Sequence, residues 1–297
     1  MKLLTPVFLA LLLVCPQAIA MKGIFWQPQL RDNQVSEAKW QSLMHSLRSE
    51  GFDTLILQWT RYGDAFTHES ESLALQQKAA AARSAGLRLI VGLYSDPDFF
   101  TRQKQPAAAQ ANYLNYLRTQ DISQARSWLQ KSGIEPDGWY ISAEIDDLNW
   151  REDKSRQQML KWLGDTRFGL AAVSDKPLYI SSFFAGNMTP ESFAGLNRQV
   201  KERGINVWVQ DGSGVGKMNS AQRALYLDAA AGCQTATPAS GIVYELFSIN
   251  PGKTFSASPK TESVITALLA KKSSCQKDSL YFSLRYLPQA LGTLDRR

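Results

Sequence analysis

Eight short hydrophobic runs recur along the chain at steady intervals, with a helical pattern between each run and the next. They are 22–28 (KGIFWQP), 53–59 (DTLILQW), 87–94 (LRLIVGLY), 138–144 (GWYISAE), 177–184 (PLYISSFF), 205–211 (INVWVQD), 241–247 (GIVYELF) and 279–285 (SLYFSLR). Each is almost continuously apolar, as a strand must be when both of its faces are buried. The segments between them change period. Residues 36–50 set Trp40, Leu43, Met44 and Leu47 at i, i+3, i+4 and i+7, with Ser36 placed to cap the helix and Gly51 to end it. Residues 189–203 open on Thr189-Pro190 and close at Gly204, and 69–85 close at Gly86. Segments 107–132, 152–170, 219–232 and 260–272 supply the remaining helices.

Eight strands with seven intervening helices predict an α/β fold, a (β/α)₈ barrel formed by a single domain over 21–297. An open doubly wound sheet is the alternative. It usually has fewer strands and a glycine-rich first turn, whereas the first run here leads into QPQLRDNQ, which has no glycine. No low-complexity linker divides the chain.

Residues 1–20, MKLLTPVFLALLLVCPQAIA, combine an early lysine, an apolar stretch from Val7 to Val14 and the small-x-small ending Ala18-Ile19-Ala20. That pattern predicts a cleaved signal peptide and a periplasmic or secreted protein, with no stable membrane insertion after cleavage. Of the three cysteines, Cys233 and Cys275 remain after cleavage, and in an exported protein they are expected to form a disulfide. The net charge of +6 comes from scattered residues rather than a basic run, so a nucleic-acid partner is not expected. The two histidines, His45 and His68, belong to different segments, which leaves a histidine metal site or a Ser-His-Asp triad without support. No metal and no organic cofactor are expected.

In barrels of this type the chemistry sits at the C-terminal ends of the strands. Here those ends carry Trp26, Gln27, Gln58, Trp59, Tyr94, Glu144, Gln210, Asp211 and Glu245. Hydrogen-bonding groups beside flat apolar faces are what a sugar requires for its hydroxyls and its C–H face. Glu144 ends the fourth strand and Glu245 lies in the seventh, predicting a carboxylate pair across one mouth. Cleavage of a glycosidic bond needs such a pair, one group to protonate the leaving oxygen and one to attack the anomeric carbon or activate water. It also needs an environment that sets their pKa values apart. Trp26, Gln27, Gln58, Trp59, Tyr94, Asp146 and Asp211 are the expected substrate contacts, with a polysaccharide or oligosaccharide as the partner.

The stretches GIFWQPQLRDN, FDTLILQWTRYG and WYISAEIDDLNW resemble a bacterial family of exported barrel proteins known as a domain of unknown function and regarded as glycoside-hydrolase-like. More distantly, a glutamate on strand four and another on strand seven resembles the large clan of retaining (β/α)₈ glycosidases. That likeness implies Glu144 as acid/base and Glu245 as nucleophile. Those enzymes commonly carry Asn before the strand-four glutamate, where this chain has Ala143.

Other readings of the same residues stay open at this level. Glu144 can pair structurally with Arg285 or Arg61, Asp146 and Asp147 can cap the following helix, and Asp146 or Asp211 can take the second catalytic role. A non-catalytic glycan-binding or envelope-assembly protein would keep the aromatic platform and tolerate loss of either glutamate.

Overall fold

A computed structural model of the chain describes residues 20–233, 237–252, 256–271 and 275–295. The expected signal peptide lies outside the described residues apart from Ala20. Eight parallel strands close into a barrel: β1 (Lys22–Trp26), β2 (Thr54–Leu57), β3 (Arg88–Gly92), β4 (Gly138–Asp146), β5 (Leu178–Phe183), β6 (Ile205–Gln210), β7 (Gly241–Glu245) and β8 (Asp278–Phe282). Closure is made by β1, whose Gly23 stands opposite Thr54 of β2 on one side and Leu280 of β8 on the other.

The crossovers are α1 (Glu37–Ser49), α2 (Glu69–Ser84), α3 (Ala107–Ser132), α4 (Asp153–Ala171), α5 (Pro190–Lys201), α6 (Ser220–Ala231) and α7 (Glu262–Ala270). Their starts follow the predicted chemistry. Ser36 accepts the amide of Lys39, Thr189 accepts that of Ser192 ahead of Pro190, and Asn219 forms a reciprocal box with Gln222. No described helix is long and apolar enough to cross a membrane.

Strand alternation divides the apolar residues into two cores. Inside the barrel every strand contributes to the second core, through Phe25, Ile56, Ile90, Tyr140, Tyr179, Trp208, Val243 and Leu280. Trp208 stacks on Tyr179 at 4.3 Å, and Tyr140 lies 5.9 Å beyond Trp208 on its other side. This aromatic plug fills the cylinder and floors its C-terminal mouth. The neighbouring residues of the same strands, such as Ile24, Leu55, Val91 and Val209, face outward and pack with the helices.

Cys233 and Cys275 form a disulfide with Cα atoms 5.1 Å apart, joining the end of α6 to the segment before β8. Closing a loop with a sequence separation of 42 stabilises the fold by about 4 kcal/mol in the chain-entropy account.

Candidate active site at the barrel mouth

The C-terminal mouth holds a cavity of about 780 Å³. Strand parity decides which residues reach it. Two positions beyond the interior plug come Gln27 on β1's extension, Gln58 on β2's, Gln210 at the end of β6 and Glu245 at the end of β7, and all four line the cavity. β4 reaches it by a longer route. Its pairing with β5 jumps from Ile141 opposite Ile180 to Glu144 opposite Ser181, so Ser142 and Ala143 form a bulge. Because two residues are inserted, parity is preserved, and Glu144 points into the mouth above Tyr140. The bulge is fastened by the Ser142 hydroxyl, which donates to the Gln58 carbonyl at 2.7 Å. Gly92 makes room for this strand end, since a Cβ there would fall 2.1 Å from the Gln58 carbonyl oxygen.

Glu144 is half-buried and accepts one hydrogen bond, from the Gln210 side-chain amide at 2.9 Å. Among the described residues no lysine or arginine pairs with it. Arg285 is committed elsewhere, donating to both oxygens of Asp32 at 3.1 and 2.8 Å, and Arg61 donates to the Gly63 carbonyl and to Gln120. The ion-pair reading of Glu144 is therefore not realised. Loss of water around Glu144 pushes its carboxyl up to about 7; the Gln210 bond pulls the value down and the Asp146 charge adds to the rise.

Glu245 is buried at 2 % exposure, beneath the loop that follows β6. Its Oε2 accepts the backbone N–H groups of Gly214 at 2.5 Å and Val215 at 3.2 Å. A Cβ on Gly214 would sit 2.5 Å from the Phe247 carbonyl and 2.9 Å from that same Oε2, so the clamp requires glycine. Burial and the Asp211 charge raise the Glu245 carboxyl to about 7 against the pull of the two amides and Lys260. The surroundings thus lift both carboxyls to a similar level instead of setting them apart. They differ in what holds them: Glu245 is fixed by two backbone N–H groups, whereas Glu144 receives a single side-chain amide.

Trp59 and Tyr94 also border the cavity, with Tyr62, Phe99 and Phe100 extending the aromatic wall. Three expected contacts lie elsewhere. Trp26 is 1 % exposed and turned outward, packed at 4.5 Å on Trp40 of α1 with its indole N–H donated to Asp32. It follows Phe25, which faces inward, so it must face outward. Asp146 is buried and holds its own loop, accepting the amides of Leu148 and Asn149. Asp147 does the same for the β5 loop, through the amides of Ala185 and Asn187. Asp211 falls on the outward parity of β6 and accepts from Ser213 and from the Glu245 backbone amide, which fixes the clamp loop without lining the cavity.

Several lining residues were not expected. Tyr140 and Ser142 stand four and two positions before Glu144, and a period-2 count back from that glutamate would have found both. Asp121 comes from α3, where burial holds its carboxyl well above the usual range and it accepts the Tyr94 amide at 3.1 Å. Lys217 and Arg223 reach the cavity from the segment after β6 and from α6.

The uncharacterized protein YbcH of Escherichia coli (strain K12) is 60% identical over 289 residues, covering 97% of this chain and 98% of that protein. Among solved structures, a GH18 chitinase from Pseudoalteromonas aurantia aligns with a TM-score of 0.52 at 9% identity, over 89% of this chain and 94% of that one. A 2-naphthoyl-CoA reductase aligns with a TM-score of 0.51 at 11% identity, over 91% of this chain and 49% of that one. These two likenesses concern the barrel itself, which hosts unrelated chemistries. A family model matches residues 21–292, which is nearly all of the described structure, and the chain belongs to that family, DUF4434, a domain of unknown function.

Proposed function

We propose that this protein is an exported glycoside hydrolase of the periplasm or cell exterior that cleaves an envelope or extracellular polysaccharide, with Glu144 as general acid/base and Glu245 as the second carboxylate. The observation that carries the reading is the state of Glu144. It is a carboxyl at the floor of an open, aromatic-walled cavity, free of any cationic partner among the described residues, and raised to about 7 so that a large fraction is protonated near neutrality. A group in that condition can protonate a leaving glycosidic oxygen.

The Gly214 and Val215 amides hold the Glu245 carboxyl in place, and with Glu144 taken as the acid the role of nucleophile or base falls to Glu245. Gln58 supports a sugar ligand independently. It is 7 % exposed and lines the cavity, yet among the described residues its side-chain oxygen has no hydrogen-bond partner, a deficit that a ligand hydroxyl would make good. Among solved structures of similar fold, the GH18 chitinase is consistent with such a substrate class.

Glu144→Gln tests the proposal. It keeps the shape of the side chain and removes the transferable proton, so reducing-end release from a confirmed glycan should fall by roughly 10²–10⁴-fold while binding persists. Unchanged turnover would falsify the assignment. The burial of Glu245 under its loop favours a second reading, a glycan-binding protein without turnover. In that case the wild type binds glycans but releases no reducing ends.

A further inference from the structure

The cavity is unevenly charged. On the β3 side its acids are occupied: Asp96 pairs with Arg102 at 3.0 Å and accepts the Tyr113 hydroxyl at 2.8 Å, and Asp121 accepts the Tyr94 amide. On the β6 side the two cations that line it, Lys217 and Arg223, have no carboxylate within ion-pair reach among the described residues. Arg223 is half-buried, with its stem against Gly212, and its one hydrogen bond among the described residues goes to the Met218 carbonyl at 3.0 Å. Most of the guanidinium's donors are left for something else. Lys217 is exposed at the rim, and none of its donors is engaged by a described residue. A third cation, Lys260, is close enough to feel Arg223, and its ammonium is already spent on Ser213 and the Glu245 carbonyl.

A half-buried arginine is normally satisfied by a carboxylate or several carbonyls. Here the remaining Arg223 donors border the same cavity as Glu144, beside the loop that clamps Glu245. Resting on the glycan reading above, we infer that Lys217 and Arg223 form a subsite for an anionic substituent on the sugar, a carboxylate or a phosphate, so that the substrate class is an acidic glycan. Arg223 supplies the planar fork suited to either group, and Lys217 supplies an adjustable point charge. The aromatic wall of Trp59 and Tyr62 holds the ring faces on the other side.

The test is equilibrium binding of the full mature protein to four probes: tetragalacturonate, its methyl ester, a phosphorylated mannan oligosaccharide and neutral mannotetraose. Wild type, R223Q, R223K, K217Q and E144Q are compared, with thermal melts as the check on folding. The expected result is at least tenfold tighter binding of an acidic probe than of its neutral counterpart. R223Q and K217Q should each weaken that binding by about tenfold without moving neutral affinity, R223K should keep most of it, and added salt should erase the difference. The carboxylate and phosphate probes separate the two sources of charge. If neutral glycans bind as well as acidic ones and the Lys217 and Arg223 variants change nothing, the subsite is overturned and the glycan reading stands. If no glycan of either kind binds, both fall.

Discussion

Gln210 donates its side-chain amide to Glu144 at 2.9 Å, from β6 to β4 across the intervening β5, and Gln210 also lies 3.4 Å from Ser181 on that middle strand. One amide thus ties the proposed acid to the adjacent staves of the barrel. The bond acts on position more than on charge, because a neutral donor stabilises a carboxylate less than a cation would. Gln210→Ala should leave the fold intact, raise the apparent pKa of Glu144 further and move the upper limb of the pH–rate profile to higher pH. A pH profile of glycan cleavage in the variant, compared with wild type, checks this.

The two raised carboxyls make stability depend on pH in a definite direction. Glu144 and Glu245 stand at about 7 folded against an ordinary 4.5, so between those limits the folded state binds more protons than the unfolded one. Stability contributed by these two groups is full below about 4.5 and declines as pH rises toward about 7. Melting temperatures of E144Q and E245Q across that window should fall less steeply with pH than those of wild type. A steeper fall would contradict the burial assigned to these groups.

Gly214→Ala is expected to displace Glu245, since the added Cβ would meet the Phe247 carbonyl and the Glu245 carboxylate. Turnover should drop by at least an order of magnitude, while the far-ultraviolet circular dichroism of the barrel is unchanged. Kinetics and spectra on the same preparation are the measurement.

Trp26 and Trp59 should respond oppositely to truncation. Trp26→Ala opens a hole between β1 and α1 and should cost about 3–5 kcal/mol of stability, with ligand affinity retained in the folded fraction. Trp59→Ala removes a cavity wall and should weaken glycan binding while costing little stability. Denaturant titration and binding on both variants separate the roles.

Asp32 and Arg285 form a buried ion pair, at 2 % and 6 % side-chain exposure, that joins the segment after β1 to the turn after β8. Asp32→Ala leaves the guanidinium buried without its partner and should destabilise the protein by about 3–5 kcal/mol. Denaturant unfolding gives the value directly.

These outcomes also mark how far the sequence reaches. All eight strands were legible because burial on both faces makes each a continuous apolar run, and helix ends were legible because Gly51 and Gly86 occupy left-handed conformations at φ 85° and 84°. The carboxylates were legible from their places at strand ends. Trp26 and Asp211 were misplaced because strand-end position was read without parity: one residue along a strand turns a side chain from the mouth to the helices. The bulge at Ser142 and Ala143, the amide clamp on Glu245 and the approach of Lys217 and Arg223 to the cavity depend on how bulge and loop backbones run in space, for which the local sequence carries no period to read. GSGVG announced a turn-rich segment, but nothing in it named Glu245 as the group its amides would hold.

The most direct test is reducing-end release from a panel of acidic and neutral bacterial polysaccharides by wild type and E144Q, with binding of the same glycans measured in parallel. The account predicts cleavage of at least one glycan by wild type, loss of that cleavage in E144Q, and binding retained in both. Equal release by the two proteins, or a glycan that E144Q cleaves and wild type does not, would contradict the role given to Glu144.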